Sequence, residues 1–121
     1  MTNNTLYYDI TLIRPPAVEA FRFATTSITL PLGLAYISSS LKKNNFKVQV
    51  IDAVGAAPKN RVGYYKGYLV GASFEQIINK VSNLTKTIGI TVVFTHEWPL
   101  VVKLIDLLNF YTYGETNNQI N

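Results

Sequence analysis

Cysteine is absent from the 121 residues. That excludes a disulfide scaffold, a thiolate nucleophile, a cysteine-ligated zinc site and an iron–sulfur cluster held by this chain. Histidine occurs once, at His96, which excludes a multi-histidine metal site. Charge is sparse, 15% against 48% hydrophobic residues, so the composition is that of a folded chain and not of a disordered one. Basic residues outnumber acidic ones, 11 to 7, but they are scattered, and Lys42-Lys43 is as long a run as they make. A nucleic-acid binder wants a clustered basic face interleaved with stacking aromatics. Tyr64, Tyr65 and Tyr68 around Lys66 are the one foothold for that reading, and it is disfavoured. The long apolar stretch from Ile88 to Leu108 is interrupted by His96, Glu97, Lys103 and Asp106, which argues against a membrane span. The opening residues Met1 to Thr5 are polar and uncharged, without the pattern of a secretory signal, so the default setting is cytoplasmic.

What is present alternates between strand and helix patterns, within a length that bounds the chain to one domain with a modest core. Tyr7 to Ile13 is β-branched and aromatic and stops at Arg14-Pro15-Pro16, a buried strand closed by residues that cannot donate to a ladder. Ala17 to Leu30 has no clear period and reads as a loop. Pro31 suits the first turn of a helix, with Thr29 as a nearby cap, and Leu34, Ile37 and Leu41 follow at helical spacing. Lys42 and Lys43 suit the helix's negative end, and Asn44-Asn45 can close it in a left-handed conformation. Phe46 to Asp52 alternates as a second strand. Ala53 to Gly71, rich in glycine and tyrosine, reads as a loop too long for a passive connection. Ser73-Phe74-Glu75-Gln76 matches a capping box, and Phe74, Ile77, Ile78, Val81 and Leu84 share one face of the helix it starts. Ile88 to Thr95 is the third strand, and Pro99 opens a third helix carrying Leu100, Leu104, Leu107 and Leu108. From Thr112 the residues turn polar, so the division is a domain over 1–111 and a tail over 112–121 that frays.

This order predicts an α/β fold, with a three-layer, Rossmann-like (flavodoxin-like) parallel sheet of strand order 2-1-3. Ligands of such sheets sit beyond the carboxyl ends of the strands, where the strand order reverses. Three loops meet there, beginning at Arg14, at Asp52 and at Thr95, and two long loops on one edge favour a sizeable ligand. No G-x-G-x-x-G follows the first strand and no G-x-x-x-x-G-K-[ST] occurs, so ordinary dinucleotide or P-loop binding is disfavoured. A response-regulator reading fails as well, since the expected acidic positions hold Arg-Pro-Pro and Thr-His-Glu.

The residues at these loops resemble a known family. Arg14-Pro15-Pro16, Pro31-Leu32-Gly33-Leu34-Ala35-Tyr36-Ile37 and Val50-Ile51-Asp52-Ala53 are similar to the amino-terminal cobalamin-binding domain of B12-dependent radical SAM enzymes. Gly71, Phe74 to Ile78, Ile88-Gly89-Ile90-Thr91 and Phe94-Thr95-x-Glu97-Trp98-Pro99 fall in that family's order, so the likeness runs over most of residues 7 to 108. Two departures stand out. The family continues into a fourth strand, a Gly-Gly-x-His-like turn and a fifth strand, which are missing here. The C-x-x-x-C-x-x-C of the radical SAM barrel is missing too, so the sequence reads as a fragment, a truncated product or a free-standing partial domain that cannot cleave S-adenosylmethionine.

The resemblance implies cobalamin as the bound, cobalt-carrying cofactor, with Arg14, Pro15, Pro16, Leu32, Gly33, Asp52, Ala53, Thr91, Thr95, Glu97 and Trp98 as its contacts and no catalytic residue or protein metal ligand in this chain. Several of these have a plainer alternative. Arg14 is a corrin-facing donor or a solvated strand-end cation. The prolines are an apolar wall or a strand terminator. Asp52 bonds the ligand or caps the loop that follows it. Thr91 and Thr95 bond a nucleotide tail or serve β-propensity. Trp98 closes over the ligand or staples its helix to the sheet. His96 lies in the wrong place for the family's lower cobalt ligand. The implied partners are cobalamin and either the missing remainder of the domain or a radical SAM domain. The rival expectation is an interaction or remnant domain that binds no cofactor and forms a homo-oligomer through its open sheet edge. A small enzyme with another substrate is the third reading, and no base–nucleophile pair supports it.

Overall fold

The structure, a computed structural model, describes residues 5–20 and 30–120. Its elements run β1 (Tyr7–Arg14), β2 (Ala17–Ala20), α1 (Leu32–Lys43), β3 (Val48–Asp52), α2 (Ala53–Ala56), β4 (Arg61–Tyr64), β5 (Gly67–Val70), α3 (Phe74–Lys80), β6 (Leu84–Ile90), a 3-10 turn (Thr95–Glu97) and α4 (Trp98–Ile120). The fold is α/β, with a three-stranded parallel sheet and a second, small antiparallel sheet.

The parallel sheet has the order β3-β1-β6, which is the 2-1-3 order expected from the alternation of strands and helices. Ile10 to Arg14 of β1 pair with Val48 to Asp52, and Tyr7 to Ile13 pair with Leu84 to Ile90. Strand side chains alternate between faces, so Ile13 and Leu12 point opposite ways. Ile13 joins Ile51, Ile77, Ile78, Val81, Leu104 and Leu108 in the main core, under α3 and α4. The opposite face is left to α1, which buries Leu34 and Ser38. Gly89 lies on that face, where an added Cβ would stand 3.0 Å from Leu12 Cδ2.

Helix ends follow local chemistry. Ser73 Oγ accepts from the Gln76 amide at 3.2 Å and the Gln76 side chain accepts from the Ser73 amide at 2.9 Å, closing the expected capping box. Asn45, just past α1, takes φ 69° and completes the left-handed exit. Pro31 is the residue before α1, one position earlier than its sequence role suggested. Thr29, the expected cap, lies outside the described residues.

Several expectations are corrected. The third strand covers Leu84–Ile90 and not Ile88–Thr95. Its upper limit is set by its partner. The Thr91 amide donates to the Ile13 carbonyl at 3.0 Å. The next rung of a parallel ladder would need an N–H at residue 15, which is a proline. Its lower limit is set by polar anchors. The Ser82 hydroxyl donates to the Leu6 carbonyl, and the hydroxyls of Thr11 and Thr85 meet at 2.8 Å. Leu84, expected on the α3 face, begins β6 instead and is exposed. The second strand starts at Val48, two residues later than expected, and α4 starts at Trp98 and takes in the polar residues from Thr112 to Ile120 as helix.

Both stretches expected to be loops carry structure. Ala17–Ala20 is a strand, while residues 21–29 of the same stretch lie outside the described residues. The other stretch holds α2 and the β4–β5 hairpin. Together they form the antiparallel sheet, order β2-β5-β4. The hairpin turns at Tyr65-Lys66 with Tyr65 at φ 50°. Its exit is locked at Gly71, whose φ is +130° and whose absent Cβ would fall 2.9 Å from the Ala53 carbonyl oxygen. The Ala72 amide donates to that same oxygen at 2.7 Å.

Candidate functional site

Register brings Arg14 and Asp52 together. They are the last residues of β1 and β3 and are paired rung to rung. Arg14 Nη1 lies 3.5 Å from Asp52 Oδ2, with about four-fifths of each side chain covered. Asp52 Oδ1 also accepts from the Gly55 amide at 3.0 Å, capping α2. Glycine at 55 is what lets the carboxylate come so close, since a Cβ there would stand 2.6 Å from Oδ2. The capping role of Asp52, one of its two expected readings, is thus present, and its second oxygen holds Arg14 in place.

Beside this pair, at the carboxyl ends of β1 and β6, lies a hollow of about 430 Å³. It gathers Arg14 and Pro15 from the end of β1, Leu32 and Gly33 from the start of α1, and Thr91 and Glu97 from the segment after β6. All six were singled out in the sequence, from positions as far apart as 14 and 97. The elements explain why they meet. The proline pair ends β1 and turns the chain into β2, α1 begins against the same edge, and β6 stops where its ladder partner does. Val18, Leu30, Val93 and Phe94 complete a mainly apolar wall. Phe94 belongs to a motif quoted for the resemblance but was not expected as a contact, and Val18, Leu30 and Val93 were not picked out beforehand. Val18 was hidden because its four-residue strand shows no period, and Leu30 because it was assigned to a loop.

The remaining expected contacts lie elsewhere. Pro16 is buried but is not among the lining residues. Asp52 faces a separate shallow hollow with Gln49 and Lys80. Ala53 is fully buried in the core. Thr95 begins the 3-10 turn and is exposed. Trp98 lines a separate groove with Ile88, Ile90 and Ile105. His96, which the sequence placed away from a cobalt-ligand role, lines the hollow, its ring stacked on Phe94 with centroids 5.5 Å apart and planes 14° from parallel.

The hollow offers an apolar body with polar groups at its edges: a guanidinium tied to a carboxylate, one threonine hydroxyl, one carboxylate and one imidazole. The start of α1 on its wall has neither a side-chain cap nor an acidic residue in its first turn, so the helix dipole keeps its positive end there. Among the described residues, no three of the histidine, aspartate and glutamate side chains gather as a metal-holding group. Among the same residues, no helix is long and apolar enough to cross a membrane. No family model, curated protein or solved structure matches the chain.

Proposed function

We propose that this chain is a ligand-binding module of the cytoplasm, non-catalytic on its own, that takes a corrinoid along the carboxyl edge of its parallel sheet. We read the sheet as the first half of a doubly wound, flavodoxin-like arrangement, in which that edge is the binding edge. One observation carries the reading: Arg14, Pro15, Leu32, Gly33, Thr91 and Glu97, chosen for their resemblance to a cobalamin-binding domain, line a single hollow.

The fit is partial. About 430 Å³ lies in the lower part of the range for drug-sized ligands. A whole corrinoid is larger, so this hollow holds one portion and the rest lies across the exposed surface at Leu30, Leu32 and Phe94. Pro15, Leu32 and Phe94 supply apolar contact to the macrocycle. Arg14, kept in one orientation by Asp52, and the Thr91 hydroxyl supply donors to the amide groups at its rim. Cobalt, when bound, supplies the redox and alkyl-transfer chemistry, which a partner domain would use.

Titration of the protein with hydroxocobalamin, followed by visible absorbance, tests this. The expected result is saturable binding with a Kd of about 10⁻⁴ to 10⁻³ M, roughly 4–5.5 kcal/mol, weak because the hollow encloses so little of the ligand. Leu32→Asp is expected to abolish the spectral change while leaving far-UV circular dichroism intact. A corrin spectrum unchanged at millimolar protein overturns the proposal.

A further inference from the structure

The outer edge of β6 is open: among the described residues β6 pairs with β1 alone. Because the Thr91 amide points to β1, alternation along the strand turns the backbone N–H and C=O groups of Ile88 and Ile90 outward. Proteins commonly blunt such an edge with a lysine. The lysine of β6 does not do so. Lys86 Nζ lies 5.5 Å from the centre of the Tyr7 ring, drawn over β1 and away from the edge. Beside the edge runs a groove of about 340 Å³ between Ile88, Ile90 and Val92 on one side and Trp98, Ile105 and Asn109 of α4 on the other, and among the described residues no charged side chain lines it.

We infer that this edge and groove bind a second copy of the same chain, by antiparallel pairing of β6 with β6 about a two-fold axis. The occupant follows from complementarity. Unpaired backbone groups call for another strand, and a two-fold brings the same strand in the register that suits it. Centred on Gly89, Ile88 of each copy lies opposite Ile90 of the other. Along α4, Trp98, Val102, Ile105 and Asn109 follow one another at four, three and four residues, a stripe symmetric about its own midpoint. Run antiparallel, it sets Val102 against the partner's Ile105 and Trp98 against the partner's Asn109. The exposed indole N–H then meets an amide oxygen, and no charge opposes charge along the contact. The result is a continuous six-stranded sheet with both α4 helices on one face, next to the axis. The inference does not depend on the corrinoid reading, since the hollow at Arg14 lies at the strand ends and stays open in this arrangement.

The lack of cysteine makes a direct test available. Chains carrying Val102→Cys and Ile105→Cys are mixed and oxidised with diamide, alongside a Lys103→Cys control. The expected product is the mixed disulfide dimer, with little cross-linking of the control, whose position lies off the stripe. Light scattering on the unmodified chain is expected to show a concentration-dependent rise from monomer to dimer mass. Asn109→Lys, at an exposed position that does not threaten folding, is expected to weaken the dimer about tenfold or more, as a charge at an anchor contact does. A folded monomer at every concentration overturns the inference, whether a further segment of a longer protein or nothing covers the edge. Equal cross-linking of the Lys103→Cys control overturns it as well.

Discussion

At the residue scale the amino-terminal end of β1 is held by one carboxylate. Asp9 Oδ2 accepts from the Lys47 amide and Oδ1 from the Tyr7 hydroxyl, both at 2.7 Å, while the Asp9 amide donates to the Lys47 carbonyl at 2.9 Å. The bond from the Lys47 amide, then the one from Tyr7, holds the Asp9 carboxyl below its ordinary pKa of 3.8. A carboxyl depressed by folding adds stability that is present above 3.8 and lost as pH falls through the lower folded value. Acid is therefore expected to release the β1–β3 junction before the core. Asp9→Asn keeps the shape and removes the charge, so the variant is expected to be less stable than the parent at neutral pH and to differ from it less below pH 3.8. Denaturant unfolding of both proteins across pH 2–7 checks this; a difference that does not change with pH shows that Asp9 is not the titrating link.

At the element scale, what was legible in the sequence was what local chemistry fixes by itself. The proline pair after β1, the capping box of α3, the asparagines after α1 and the strand–helix alternation each name a partner within a few residues. The β6 boundaries were not legible, because they depend on Pro15 and Leu6, which are remote in sequence. The β4–β5 hairpin was hidden for another reason. Two-residue hairpin turns favour Asn-Gly or Asp-Gly, whereas this one turns on Tyr65-Lys66, with a tyrosine at positive φ. Arg14, Pro15, Leu32, Gly33, Thr91 and Glu97 of the hollow were readable from the motifs, while Val18 and Leu30 entered it through tertiary placement alone. The antiparallel sheet also encloses an uncommon ion pair. Glu19 on β2 is 3% exposed and faces half-exposed Arg61 on β4, Nη2 to Oε2 at 3.3 Å and Nη1 to Oε1 at 3.4 Å. The angles leave Oε2 without a hydrogen bond. Breaking a fully buried pair costs about 3–5 kcal/mol, and solvent at Arg61 reduces that. Arg61→Met is expected to destabilise the protein by about 1–3 kcal/mol. Adding Glu19→Gln is expected to recover much of the loss, because the stranded charge disappears. Chemical denaturation of the two variants decides it; an Arg61→Met protein as stable as the parent would mean that Glu19 finds water.

At the scale of the whole molecule the two sheets are unequal. The main core draws on β1, β3, α2, α3 and α4, with Ile13, Ile77 and Leu104 fully buried, and takes none of its members from β2, β4 or β5. Most of β4 is exposed. The open end of the β4–β5 hairpin is closed on itself, where the Gly71 amide donates to the Asn60 carbonyl at 3.0 Å and the Asn60 side chain donates to the Gly71 carbonyl at 2.8 Å, and the Ala72 amide ties it to α2 through the Ala53 carbonyl at 2.7 Å. Segments with few buried apolar contacts open below the global free energy. Amides of β1 and of α4 around Leu104 are therefore expected to exchange only through global unfolding, at about 5–15 kcal/mol. Those of β4 and β5 are expected to exchange through a separate opening several kcal/mol lower. This ordering bears on the hollow, because Ala17 and Val18 of β2 form part of its wall. On that expectation, the wall on that side belongs to the sheet that opens first and the wall formed by β1 and α1 to the one that opens last. A ligand seated in the hollow would bridge the two, so it would slow exchange in β2 and β5 far more than in β1. Native-state hydrogen exchange with and without hydroxocobalamin measures both effects. Uniform protection across the two sheets in the free protein would show a single cooperative unit and refute the division.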